Sequence, residues 1–204
     1  AREAEMTGYF HSIGLGVKVV SYVSSERDYL LTERALGEDL THEDYLSDPI
    51  RLAKTMGRLL RELHDRSTTG CPIVRTPEYL NTVIENHKKG IFDTSLFGER
   101  QTFCSADEAF AFVEKHAELL RADVLIHGDF CLPNIMLDGW QFSKFIDVGC
   151  GGIGDRHIDL FWGAWTLNFN LGTDEYRDVF FDAYGRELID PTILRVIEAA
   201  ECFG

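Results

Sequence analysis

Three short apolar runs between residues 124 and 146, each adjoining a polar residue, constrain the fold of this chain more than any other feature of its 204 residues. Residues 124–126 (Val-Leu-Ile), 135–137 (Ile-Met-Leu) and 142–146 (Phe-Ser-Lys-Phe-Ile) read as strands, the last two joined by a tight turn at Asp138-Gly139. His127-Gly128-Asp129 follows the first run, Asn134 precedes the second and Asp147 follows the third. A loop anchored between apolar strands can hold Asp129 where it accepts a proton from a substrate hydroxyl. Asn134 and Asp147 offer an amide oxygen and a carboxylate, hard ligands of the kind Mg²⁺ takes beside nucleotide phosphates. Alone, His-Gly-Asp reads as a turn whose aspartate caps a backbone N–H. With Asn134 and Asp147 at their spacing it reads as a site for phosphoryl transfer, where alignment of the hydroxyl and neutralisation of the phosphates do most of the catalysis.

The flanking chain divides into a strand-bearing start and a helical remainder. Residues 2–10 read as the tail of a helix stopping at Gly14, and 17–23 with 29–32 as a hairpin that Leu36-Gly37 ends. Asp48-Pro49 opens a helix with Leu52, Met56, Leu59, Leu60 and Leu63 on one face, ending near Asp65. Ser105-Ala106-Asp107-Glu108 fits a capping box, serine and glutamate each satisfying the other's N–H, for a helix to about residue 120. Further helices are expected over 157–168, over 174–184 before Gly185, and over 191–202 after Asp190. Phe161, Trp162, Trp165 and Phe169 at helical spacing are expected in the core, and Gly149, Gly151, Gly152 and Gly154 in a flexible loop. Asp155 reads as a local cap and Asp159 as a buried acceptor; His64, His157 and the other histidines outside His127 form no ligand spacing and receive no role.

Charge and composition set the remaining bounds. Thirty-four acidic against twenty basic residues give a net charge of −14, the wrong sign for gripping a nucleic-acid backbone. An acidic field attracts cationic ligands, although excess carboxylate is more commonly solvated surface. No run approaches the ~20 apolar residues a membrane span needs, and Ala1-Arg2-Glu3-Ala4-Glu5 has no apolar stretch of the signal-peptide kind. Cys71, Cys104, Cys131, Cys150 and Cys202 form no C-x-x-C pair, so reduced thiols in a cytoplasmic protein are expected.

The run His127-Gly128-Asp129-Phe130-Cys131-Leu132-Pro133-Asn134, followed by Phe145-Ile146-Asp147-Val148-Gly149 and then by Gly154-Asp155-Arg156-His157-Ile158-Asp159-Leu160, resembles the catalytic and metal-binding motifs of aminoglycoside phosphotransferases, particularly the 3′-phosphotransferases. The resemblance implies an α+β, protein-kinase-like fold: a truncated small lobe with a β-hairpin over residues 1–36 and a mostly helical large lobe with short catalytic-loop strands over 37–204. It implies ATP and Mg²⁺ as cofactors, a cationic aminoglycoside as substrate, Asp129 as catalytic base, and Asn134 and Asp147 as magnesium ligands. Met136 and Ile146 would form the floor under the adenine, the backbone somewhere in Glu33 to Ala35 would pair with its edge, and Glu3 would pair with a phosphate-binding lysine. His127 and Asp159 would support the catalytic loop; Glu201 and Phe203 would line the antibiotic pocket, with surface exposure the alternative for Glu201.

Two departures accompany the resemblance. The lysine expected upstream of Glu3 is missing and Lys18 lies on the wrong strand to replace it, so the chain is expected to be part of a longer polypeptide and inactive alone. Cys150 and Trp165-Thr166 stand where relatives carry charged residues, leaving fewer ionic contacts for a polyamine sugar. Two alternatives therefore stay open: a kinase of another small hydroxyl compound such as an amino alcohol or sugar, or a non-catalytic, kinase-like ligand-binding module.

Overall fold

The computed structural model describes residues 1–97 and 102–204. The chain opens with helix α1 (Arg2–Ser12), and the antiparallel hairpin of β1 (Val19–Ser24) and β2 (Asp28–Thr32) follows. Strand β3 (Glu38–Asp39) then leads to the short α2 (Glu43–Leu46), the long α3 (Pro49–His64), α4 (Arg75–Lys88) and α5 (Ala106–His116). Residues 124–154 supply β4 (Val124–Ile126), β5 (Ile135–Asp138), β6 (Gln141–Phe145) and β7 (Gly152–Gly154). Helices α6 (Arg156–Leu171), α7 (Arg177–Tyr184) and α8 (Pro191–Glu201) complete the fold. No helix among the described residues is long and apolar enough to cross a membrane.

Two buried clusters hold these elements together. The larger joins α1 and α3 to α6, α7 and the catalytic strands through residues such as Phe10, Leu52, Met56, Leu60, Phe130, Phe145 and Phe180. The smaller joins α4, α5 and α8 through Tyr79, Val83, Ala109, Val113, Ile197 and Phe203. Gly57 lets α3 and α7 approach closely, because a Cβ there would stand 2.5 Å from the Phe180 carbonyl oxygen. Asp48 caps α3 by accepting from the Arg51 N–H with Pro49 in the first turn, the arrangement expected from the sequence.

Several expectations need correction. Gly152 and Gly154 do not lie in a flexible loop: with Ile153 they form β7, antiparallel to β4, where the Ile73 carbonyl crowds Gly152 and the Ile126 side chain crowds Gly154. Strand β3 and helix α4 were not foreseen. Glu108 closes the start of α5 by accepting from the Cys104 N–H, one residue before the serine with which reciprocity was expected. The α5 helix stops at His116 and passes into a single 3₁₀ turn over Ala117–Leu119. The tight turn sits one residue later than expected, at Gly139-Trp140, with a positive φ only at the glycine. The aromatic row of α6 is only partly core: Phe161 and Trp162 are half-buried against the smaller cluster, Trp165 is half-buried outside it and Phe169 is 70% exposed.

Candidate active site

The site is built where β4 turns into the catalytic loop. Gly128 carries a φ of +82°, and a Cβ on it would collide with the Cys150 carbonyl, so a glycine is required for the loop to leave β4 here. The fully buried Asp159 pins this turn, accepting from the His127 N–H at 2.8 Å and the Gly128 N–H at 2.7 Å. It also faces His64 Nε2 at 3.1 Å, while His64 Nδ1 meets the Tyr184 hydroxyl at 2.8 Å. One tautomer serves both contacts: Nε2–H donates to Asp159 and Nδ1 accepts from Tyr184, whose hydroxyl burial raises to about 12.

The loop next presents Asp129, half-buried, with its backbone N–H donating to His127 Nδ1. The buried His127 ring spans the loop, since its Nε2 lies 3.0 Å from the Ile146 carbonyl, one residue before Asp147. Asn134 Nδ2 donates at 2.9 Å to both the Asp129 backbone oxygen and Asp129 Oδ2, so the amide nitrogen orients the carboxylate. Ile146 N–H donates to the Asn134 carbonyl, which ties the segments bearing Asn134 and Asp147 together. From α6, Thr166 Oγ1 accepts from the Leu132 N–H and steadies the middle of the loop.

Asp147 has a φ of +54°, the one positive value among described non-glycine residues, and its carboxylate is exposed. The Asn134 amide nitrogen is engaged by Asp129, which leaves the amide oxygen and the Asp147 carboxylate as acceptors. These two hard oxygen donors suit a divalent cation that takes its remaining ligands from phosphates and water, as Mg²⁺ does. Among the described residues no cluster of three or more His, Cys, Asp and Glu side chains forms a self-sufficient metal cage.

The residues expected to meet the nucleotide lie along adjoining elements. Met136 and Ile146 are half-buried on the β5 and β6 segments that also carry Asn134 and Asp147. Ala35 is buried and Glu33 exposed, its N–H bonded to the Lys18 carbonyl. Gly37, at φ +83°, lies so close to the Leu137 carbonyl that a Cβ would overlap it, and β3 then pairs with β5, seating the expected hinge segment beside the site. Glu3 packs against Gly149, just past Asp147, and accepts from the Thr7 hydroxyl at 3.0 Å. Lys18 Nζ lies 3.5 Å from Glu33 Oε1, an ion pair on the hairpin.

Glu201, expected at the antibiotic pocket, is buried and accepts from the Tyr79 hydroxyl at 3.0 Å. Burial raises its carboxyl to about 7, against the lowering hydrogen bonds of Tyr79 and Trp162, and the Asp129 charge adds to the rise. Phe203 is 1% exposed, and its ring packs on Phe92, Phe110 and His87, supporting α8 from the core. Sequence reasoning missed His64, Tyr184 and Tyr79, and it did not foresee that Thr166 holds the loop at Leu132. His157, left without a role, joins Asp155 at 2.7 Å to the Asp190 N–H at 2.9 Å, a structural bridge from β7 to α8.

The chain matches the model of a phosphotransferase enzyme family over residues 1–197. It is 48% identical over 206 residues to a probable aminoglycoside 3′-phosphotransferase of Lactococcus lactis, covering 100% of this chain and 78% of the relative. The fold is shared with an aminoglycoside 3′-phosphotransferase of type VIII, at a TM-score of 0.78 and 26% identity, covering 100% of this chain and 79% of that one. A Streptomyces rimosus aminoglycoside phosphotransferase in complex with ADP and streptomycin superposes with a TM-score of 0.78 at 20% identity, covering 99% and 80%.

Proposed function

This chain belongs to the phosphotransferase enzyme family, and from that premise we propose that it moves the γ-phosphoryl group of ATP to a hydroxyl of an aminoglycoside antibiotic. The observation that carries the reading is the double hydrogen bond from Asn134 Nδ2 to Asp129, which fixes a half-buried carboxylate beside a pair of oxygen ligands. In this reading Asp129 accepts the proton of the attacking hydroxyl. Asn134 and Asp147 hold Mg²⁺, whose chemistry there is neutralisation of the phosphate charge. Met136 and Ile146 support the adenine and the backbone near Glu33 and Ala35 pairs with its edge. Glu201 takes a substrate ammonium. His127 and Asp159 keep the loop in register, so that little reorganisation is needed at the moment of transfer.

Residues 1–36 then serve the nucleotide and 37–204 the catalytic and substrate sites. The ADP complex of the structural neighbour supports nucleotide use. Five free thiols suit the reducing, ATP-supplied cytoplasm. No cation is paired with Glu3 among the described residues, and Lys18 is engaged elsewhere, so turnover by these residues alone is expected to be weak.

The test is phosphoryl transfer to kanamycin and neomycin by protein expressed from its full reading frame, beside its Asp129→Asn variant. Loss of a general base is expected to lower kcat by about 10²–10⁴-fold. Equal rates for the two proteins would remove Asp129 from its role; phosphorylation of an amino alcohol or simple sugar in place of both antibiotics would reassign the substrate.

A further inference from the structure

The outward face of α6 carries aromatic rings that the fold does not bury. Trp165 and Phe169 stack with centroids 5.0 Å apart and planes 13° from parallel, yet Phe169 is 70% exposed. With Phe161 they line a cleft of about 990 Å³ between α6, the start of α7 and α8. A stacked aromatic pair open to water forgoes the burial that usually places such rings inside, and an exposed apolar patch beside a cleft marks a contact surface.

The row is continuous with the active site. Trp162 sits edge-on to Trp165 at 5.4 Å and lies beside the Glu201 carboxyl, which is near enough to Asp129 for that carboxylate to favour its protonated form. One helical turn along, Thr166 holds the catalytic loop at Leu132. From Trp162 to Phe169 the helix rises about 10 Å, roughly the length of two linked sugar rings. Among the described residues the charges lining the cleft offset one another: Asp174 and Glu198 oppose Arg177 and Arg195, with Arg177 over the Phe181 ring and Arg195 over Phe103 and Phe112. A highly charged ring gains little from that balance. An apolar sugar face gains contact area on Trp165 and Phe169.

We propose that Trp165 and Phe169 form a stacking subsite for the distal sugar ring of a multi-ring aminoglycoside, held by its apolar face, while the ring being phosphorylated lies at Glu201 and Asp129. The subsite rests on the function proposed above and makes substrate length, in place of distal charge, the quantity this chain selects.

The test compares neamine, with two rings, against kanamycin and neomycin, with three and four, using protein from the full reading frame and its Phe169→Ala and Trp165→Leu variants. KM for kanamycin and neomycin is expected to rise about ten-fold, as for the loss of a stacked ring contact, with kcat retained and neamine unaffected. Phe169 is exposed, so its variant reports on binding without a folding defect; Trp165→Phe, which keeps a ring, is expected to restore most of the loss. Variants that change KM equally for all three compounds, or for none, overturn the subsite while leaving the phosphotransferase reading intact. Wild-type protein that phosphorylates none of the three ends both.

Discussion

The Asp159 carboxyl has no solvent contact, and three donors from two separate parts of the chain converge on it: two adjacent backbone N–H groups after β4 and the His64 ring. Removing the carboxylate leaves all three buried without an acceptor, so Asp159→Ala is expected to destabilise by about 3–5 kcal/mol. That corresponds to a fall in Tm on the order of 10 °C for a chain of this size; a thermal melt shifted by less than a few degrees would show that the loop is held by other means. Glu201 makes stability depend on protonation. Its folded pKa, about 7, lies above the ordinary 4.5, so its contribution to stability is complete below pH 4.5 and is lost as pH rises through 7. Glu201→Gln is expected to flatten Tm between pH 5 and 8, while wild-type KM for a cationic antibiotic falls as pH passes 7 and the carboxylate appears. A wild-type KM independent of pH across that range would deny Glu201 its ammonium. Asp129, Asn134 and Asp147 could be picked out of the sequence because they punctuate apolar strands within twenty residues of one another. Tyr79 and Tyr184 reach the site by tertiary packing and give no such signal. His64 does leave one: it continues the buried stripe of Met56 and Leu60 at four-residue spacing, a polar residue on an apolar helix face.

Helices α3 and α7 are in contact at backbone distance because Gly57 has no side chain. Gly57→Ala would improve local helix propensity, yet its methyl group would press on the Phe180 carbonyl and the Ala183 Cβ, so a net loss of about 1–3 kcal/mol is expected. A melt that rises on this substitution would show that α7 can move away freely. The helices with caps and wide apolar faces were legible: α3 from Asp48-Pro49 and its leucines, α8 from Asp190-Pro191. Helix α4 was not, because it starts at Val74 without a side-chain cap, carries Pro77 in its first turn and buries only Thr76, Tyr79 and Val83. Strands β3 and β7 were equally hidden. Two acidic residues and a Gly-Ile-Gly triplet have no strand pattern of their own, and each pairs only because β5 and β4 stand beside it.

Across the whole molecule, a net charge of −14 surrounds a site proposed to receive a polycation. Long-range attraction of that kind is screened by salt, so KM for kanamycin is expected to rise several-fold between about 0.05 and 0.5 M NaCl, with little change in kcat. A flat salt profile would confine electrostatics to contacts inside the cleft. The same scale exposes a conflict at Asp147. Its backbone sits in the left-handed region, where an aspartate is strained and a glycine is not. Breeding this protein for heat tolerance, with no antibiotic in the medium, would reward glycine at position 147 and, under the proposed function, remove a cation ligand in the same step; survivors of such a regime should be sequenced there first.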